Sequence, residues 1–245
     1  MNEHVEFIET RKTDLNGYTL IEGFPGMGLV GTITAKYLVE KLEFEEIGYI
    51  NAEVFVPIIR IHKGLPINPS RIYANKKLKL AVLISEQIIP QTFTDKLAKA
   101  VVNWIKLKKI KRVISLNGIH AGQEKNKTIY GIAANEKSKK SLEGFGVEVI
   151  NEGVTTGITA LMLLKLKKTP IDAFSILGNV QIQADYKASA ELIQKLNSIL
   201  GLNLSIEPLL KEAKETEKIL LEHLKKLKDT HETVKKFEEQ APMYT

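Results

Sequence analysis

The sequence of 245 residues contains no cysteine. Disulfide bonds, thiolate nucleophiles and cysteine zinc sites are therefore excluded together. The chain also has no apolar run close to the roughly 18 residues of a membrane-spanning helix, so we expect no contact with a membrane. The polar start, Met1 to His4, leads into no apolar segment, and we expect no signal peptide. These absences favour a cytoplasmic protein.

The formal net charge is +6, but arginine is scarce and most of the basic residues are lysines. The only arginines are Arg11, Arg60, Arg71 and Arg112. Proteins that read nucleic acids favour arginine, whereas lysines interleaved with glutamates are typical of a solvated surface. The basic stretch 96–112 contains the single tryptophan, Trp104, but this residue shares an apolar helical stripe with Leu97 and Val101. We therefore expect no nucleic-acid partner.

Metal-binding and nucleotide-hydrolysing motifs are also missing. No histidine has a second histidine four residues away or an acidic cluster beside it, as zinc sites require. The chain lacks a Gly-x-Ser-x-Gly nucleophile turn and the lysine-serine pair of a Walker loop. We expect no metal and no cofactor. The five histidines of the chain, none of which has such neighbours, are His4, His62, His120, His223 and His231.

The first two hundred residues alternate between strand-like and helix-like segments. This alternation predicts an α/β fold with a largely parallel sheet. Short apolar runs predict strands at 18–22, 78–84, 112–116, 147–150 and 173–177, and two extended segments within 47–61. Helical spacing of apolar residues predicts helices at 29–42, 94–108, 159–167 and 188–200.

The composition changes after Gly201 to residues that favour helix. We divide the chain into an α/β domain at 1–203, a helical arm at 204–237 and a flexible tail at 238–245, because Pro242 disfavours helix before it. Apolar residues of the arm recur at heptad spacing, which is typical of a coiled coil. The predicted seam consists of Ile206, Leu210, Ala213, Leu220, Leu224, Leu227 and Val234.

A glycine-rich turn follows the first predicted strand. It contains Gly26-x-Gly28-x-x-Gly31 and is preceded by Gly23-Phe24-Pro25, while Glu53 follows some way along the chain. This spacing resembles a dinucleotide fingerprint, in which glycines let the backbone approach a pyrophosphate and the acid binds a ribose. The intervening Gly23-Phe24-Pro25 favours a purely structural turn with close helix packing. Phosphate or nucleotide binding is the alternative.

Polar residues also follow two of the predicted strands. Glu86 follows one, and His120 lies in the Asn117–Gly122 loop after another. Because the carboxyl ends of parallel strands form ligand sites in open α/β sheets, these two residues are a candidate acid-base pair. The simpler interpretation is that they cap strand ends, and with no nucleophile at motif spacing we expect no enzyme.

Two motifs resemble signatures of the proteasome assembly chaperone family: the Gly23–Gly31 turn, and Gly153 to Leu164, a glycine-led turn into an apolar helix. The resemblance covers Thr19 to Gly201. It implies an α/β/α sandwich like that of nucleoside phosphorylases, without their activity. It also implies that the proteasome core particle is the partner, and that the protein, like archaeal family members, is a homo-oligomer, here a tetramer or pentamer.

Some members of that family end in a hydrophobic-tyrosine-any-residue (HbYX) motif that enters pockets between outer-ring subunits of the core particle. The matching residues here are Met243, Tyr244 and Thr245. The resemblance implies that Met243 supplies an apolar contact, Tyr244 a buried anchor and Thr245 an α-carboxylate for a partner lysine. The predicted function is therefore that of an ATP-independent assembly chaperone homologue, an activator, or both.

Overall fold

The computed structural model describes residues 4–53, 55–121, 129–181 and 184–211. In these ranges the chain forms a large mixed sheet with helices on both faces, which confirms the predicted α/β class. The strands are β1 (Val5–Glu9), β2 (Thr19–Gly23), β3 (Glu45–Ala52), β4 (Arg60–His62), β5 (Leu65–Ile67), β6 (Ser70–Asn75), β7 (Leu80–Ser85), β8 (Arg112–Ile119), β9 (Ile129–Ala133), β10 (Glu148–Val149) and β11 (Asp172–Asn179). The helices are α1 (Val30–Lys41), α2 (Thr94–Leu107), α3 (Glu136–Gly144), α4 (Gly157–Leu166) and α5 (Tyr186–Leu200).

The sheet has nine strands in the order β1-β3-β6-β7-β2-β8-β11-β9-β10, and β4 and β5 form a separate hairpin. The four central strands, from β7 to β11 in this order, are mutually parallel. The expectation of a largely parallel sheet is wrong for the sheet as a whole, since four of its eight pairings are antiparallel. The short link between β6 and β7 is one reason, because only a long crossover can join parallel neighbours.

Each face of the sheet carries its own apolar core. Helices α2 and α4 cover one face, where Leu97, Val101 and Trp104 of the predicted stripe are all buried. The indole of Trp104 stacks on Phe7 of β1 with ring centroids 5.1 Å apart. Helices α1, α3 and α5 cover the other face. The protein is thus a three-layer α/β/α structure, while its likeness to nucleoside phosphorylases stays a prediction.

Five elements were not predicted from the sequence: β1, β5, β6, β9 and α3. In addition, β8 continues through Asn117 and Gly118 to Ile119, beyond its predicted end. Its final residues pair in parallel with β11, which extends the ladder. No helix within the described ranges is both long enough and apolar enough to cross a membrane.

The start of the predicted arm rests on the α1–α5 face. Residues 207–211 are helical, and Ile206 and Leu209 pack against that core, whereas Leu210 is 46% exposed. The hydroxyl of Tyr37 donates a hydrogen bond to the carbonyl of Ser205. The rest of the predicted seam and the tail lie outside the described residues; they are Ala213, Leu220, Leu224, Leu227, Val234, Met243, Tyr244 and Thr245.

Candidate functional site

The glycine turn joins β2 to α1 by very close backbone packing. A Cβ atom added to Gly31 would lie 2.3 Å from the carbonyl oxygen of Leu116 on β8, and one added to Gly23 would lie 2.4 Å from the Gly31 oxygen. A side chain at Gly26 would meet the Oδ1 atom of Asn117 at 2.3 Å. Contacts under 3.0 Å require the neighbour to move, and two of these neighbours are backbone. The spacing of these glycines is thus explained by packing alone.

The turn reverses direction through two residues in the left-handed region, Gly28 at φ 64° and Leu29 at φ 54°. The amide of Leu29 donates to the carbonyl of Gly26, and the Gly28 carbonyl accepts from the Asp185 amide. These polar groups are therefore satisfied within the protein. Glycine at position 28 also suits the strained backbone and leaves room for Val180, which a Cβ would approach to 2.6 Å.

Glu53 is not brought to the turn. It follows β3, and β6 and β7 lie between β3 and β2. At about 4.8 Å per strand, this places the end of β3 roughly 14 Å from β2. A ribose-binding acid sits on the strand next to the fingerprint, so the dinucleotide interpretation loses the residue that would have supported it.

Glu86 and His120 are likewise separate. The Glu86 carboxylate, 3% exposed, forms ion pairs with Arg60 of the hairpin and with Arg71 of β6. His120 Nδ1 lies 3.0 Å from the carbonyl oxygen of Val180. Strand β2 lies between the strands that carry the two residues, so they form no acid-base pair. The described residues also contain no group of three or more acids and histidines that could hold a metal ion.

A buried titratable residue next to the turn, Glu22, was not identified from the sequence. Glu22 belongs to β2, whose five residues are all buried, and it is 0% exposed. Burial raises the pKa of its carboxyl from 4.5 to about 7, and three hydrogen bonds, with Ser115, Phe24 and Thr159, oppose the rise. Its oxygens accept from the amide of Phe24 at 3.2 Å and from the hydroxyl of Thr159 at 3.3 Å. The signal available in the sequence was a glutamate directly after the apolar residues Leu20 and Ile21 of a predicted strand.

A cavity of about 580 Å³ opens beside the same turn. It lies at the carboxyl ends of β2, β8 and β11, the place where open α/β sheets bind ligands. Glu22 lies behind its wall, since Phe24 and Thr159, which both donate to its carboxylate, line the cavity. Within the described part of the chain, Glu152 is the one charged residue of the lining. The lining comes from the glycine turn, the end of β8 and the approach to α4, including Pro25, Met27, Asn117, Gly118, Asn151, Thr155 and Thr156.

Comparison with known proteins places this architecture in a family. The sequence profile described as "PAC2 family" matches residues 20–224. An uncharacterised protein of Methanocaldococcus jannaschii is 34% identical over 246 residues, covering 100% of both chains. Pyrococcus furiosus PbaA, an archaeal homologue of proteasome-assembly chaperone, is 31% identical with a TM-score of 0.82, over 93% of this chain and 100% of that one. P. furiosus PbaB, an archaeal proteasome activator, shares the fold with a TM-score of 0.71 at 24% identity, over 91% and 99% of the two chains. This chain belongs to the PAC2 family.

Proposed function

We propose that this protein is a homo-oligomeric, cytoplasmic protein that binds the proteasome core particle, as an assembly chaperone homologue, an ATP-independent activator, or both. The observation that carries the proposal is the similarity to PbaA at 31% identity along nearly the whole chain. The PAC2 family match over residues 20–224 supports it.

The docking element is the C-terminal Met243-Tyr244-Thr245. Tyrosine combines a large apolar ring with a hydroxyl, and it is enriched among residues that dominate binding energy. The α-carboxylate of Thr245 offers a charge-assisted contact to a lysine in the partner pocket. Only the carboxylate of the last residue is needed, so its side chain is free to vary.

A single short tail binds weakly. The arm raises the overall affinity because it holds several tails together on one oligomer. Several tails on one tetramer or pentamer make the later contacts intramolecular, which raises avidity on the order of 10²–10⁴-fold. The base of the arm is fixed to the body, because the side chain of Asn197 donates to Leu204 O at 2.9 Å and accepts from Leu204 N at 3.1 Å. A fixed base gives every tail the same point of departure.

A binding role without catalysis is favoured by how the candidate polar groups are used. Glu86 forms ion pairs with Arg60 and Arg71. The ring of His120 is within hydrogen-bond distance of the Val180 carbonyl. The alternative is a nucleotide- or nucleoside-binding enzyme that uses the Gly26–Gly31 loop. It is disfavoured because the loop glycines serve packing and Glu53 lies three strand positions away.

The test compares wild type with Tyr244→Ala and with a chain lacking residues 243–245 in a pull-down with the cognate core particle. We expect both variants to lose binding by at least ~10-fold, while Thr245→Ser binds as wild type because it keeps the carboxylate. Light scattering verifies that the oligomer is intact in every variant. Undiminished binding by the truncated chain would contradict the docking proposal.

The two roles differ in what the core particle does after binding. An activator increases peptidase activity of the finished particle, whereas an assembly chaperone increases the yield of particles from separate subunits. We therefore measure both rates with wild type and with Tyr244→Ala. A protein that changes neither rate is not a proteasome factor, even if it binds.

A further inference from the structure

We propose that the cavity at the carboxyl ends of β2, β8 and β11 is a binding site for an uncharged, amphiphilic small molecule, with a ring-sized apolar part and amide or hydroxyl groups. This goes beyond proteasome binding, and it does not depend on the C-terminal tail. The cavity is defined by the lining residues given above, and we call it the sheet-edge cavity.

Its size and place suit such a ligand. A volume of about 580 Å³ falls within the roughly 300–1,000 Å³ range of small-molecule pockets. The cavity sits at the end of the central parallel strands, between two segments that enter helices, the glycine turn before α1 and the 150–156 segment before α4. Binding sites in open α/β sheets occupy this position because the connections diverge there and leave a crevice.

The inner wall is apolar. It is formed in part by Phe24, Ile158 and Leu177, whose side chains are buried; Phe24 and Ile158 belong to the core on the α2–α4 face. Two further apolar residues of the lining are exposed, Met27 at 51% and Val154 at 97%. Exposed apolar side chains grouped around a concave surface are typical of a ligand site. An apolar ligand ring would cover them.

Hydrogen-bonding groups are also present in the lining. Thr156 is the N-cap residue of α4, but its side chain makes no capping bond. The amides of the first turn of a helix have no partner within the helix, so they can donate to a ligand carbonyl or hydroxyl. Asn117 is held in place because its Oδ1 accepts from the Gly118 amide at 2.8 Å. These are neutral donors and acceptors.

The charge of the described lining disfavours an anion as the ligand. Among the residues that the structure describes, no lysine, arginine or histidine lines the cavity, and Glu152 is the one charged residue of the lining. A phosphate or carboxylate placed against the apolar wall would lose its hydration without gaining a counter-ion, which is costly. Glu22, directly behind the wall, reflects the same low polarity, because burial raises its pKa to about 7. The ligand is therefore uncharged.

Methyl NMR of the full-length protein tests the proposal directly. The chain has four methionines, and ¹³C labelling of their methyl groups gives one probe at the cavity, Met27, and one in the core, Met162, which is 0% exposed. The ligands are uncharged amide- or hydroxyl-bearing ring fragments, each paired with a carboxylate or phosphate analogue. We expect saturable shifts of the Met27 methyl with uncharged fragments, and at least ~10-fold weaker binding of the charged analogues.

Two matched variants locate the site. Thr156→Phe places a bulky ring in the lining and should abolish the Met27 shifts, whereas Thr10→Phe, at another exposed threonine outside the lining, should leave them intact. An unchanged Met162 resonance shows that the core is preserved; if it changes, Thr155→Phe replaces the first variant.

Three results would overturn the inference: no fragment moves the Met27 methyl, charged analogues bind as tightly as uncharged ones, or binding survives Thr156→Phe. Removal of residues 243–245 should leave fragment binding unchanged. The cavity proposal and the docking proposal can therefore fail separately.

Discussion

The buried Glu22 carboxyl gives this protein a pH-dependent stability that one substitution should remove. Its pKa is raised from 4.5 to about 7 by burial, so the folded state holds the proton more tightly than the unfolded state does. Stability from this group is fully present below pH 4.5 and is lost as the pH rises to about 7. Since one pKa unit corresponds to about 1.4 kcal/mol, the loss amounts to about 3 kcal/mol.

Glu22→Gln keeps the shape of the side chain but cannot ionise. Its amide oxygen can still accept from the Phe24 amide, and its NH₂ group can donate to the Thr159 hydroxyl. We therefore expect the variant to match wild type within about 1 kcal/mol at pH 5. At pH 8 it should be more stable than wild type by about 2–3 kcal/mol, because it avoids the buried charge.

Urea unfolding at pH 5, 6, 7 and 8, followed by the fluorescence of the single buried Trp104, measures this difference. All samples are compared at one protein concentration, because association shifts apparent stability. Glu143→Gln, at an exposed position of α3, is the control and should follow the wild-type profile. If Glu22→Gln and wild type change in parallel between pH 5 and pH 8, the carboxyl does not titrate in this range and the reasoning is refuted.

Two other substitutions test the packing and the buried charges, again by urea unfolding. Gly31→Ala should destabilise by about 3 kcal/mol, because its Cβ would collide with the backbone of β8, whereas Gly144→Ala, with no atom within 4 Å of its Cβ, should change stability by less than about 1 kcal/mol. Equal effects would show that the glycine turn adapts freely. Glu86→Ala should cost about 3–5 kcal/mol because it leaves the buried Arg71 without its counter-ion, compared with under about 1 kcal/mol for Glu45→Ala in an exposed ion pair. A small loss for Glu86→Ala would mean that water reaches Arg71.

Periodicity predicted the elements whose burial is one-sided. Helix α2 was found because Leu97, Val101 and Trp104 recur at helical spacing and are buried on one face. Helix α3 has only two buried residues, Ser138 and Leu142, so it offered no stripe. Its start is instead set by the Asn135 side chain, which accepts from the Ser138 amide at 3.0 Å. Local hydrogen bonding determines such a helix, and periodicity does not detect it.

Only the glycine turn of the candidate site could be predicted from the sequence. The glycine spacing marked the turn, but its cause is the approach of β8, seen at Leu116 and Gly118, which lie far along the chain. A Cβ at Gly118 would come within 2.3 Å of the Met27 carbonyl. Likewise, Glu22 and Thr159 meet only once β2 and α4 are assembled. Spacing rules describe neighbours along the chain, whereas this cavity is made by neighbours across the sheet.

The central place of β2 has a consequence for how the chain acquires its structure during synthesis. Thr19 pairs with Leu80 of β7 on one side and with Arg112 of β8 on the other. When β2 leaves the ribosome, β7 and β8 have not yet been synthesised, so β2 stays unpaired until they are. Such long-range pairing slows folding and exposes apolar strands in the meantime. A proposed helper of assembly would thus pass through a stage in which its own central strand is open to wrong partners.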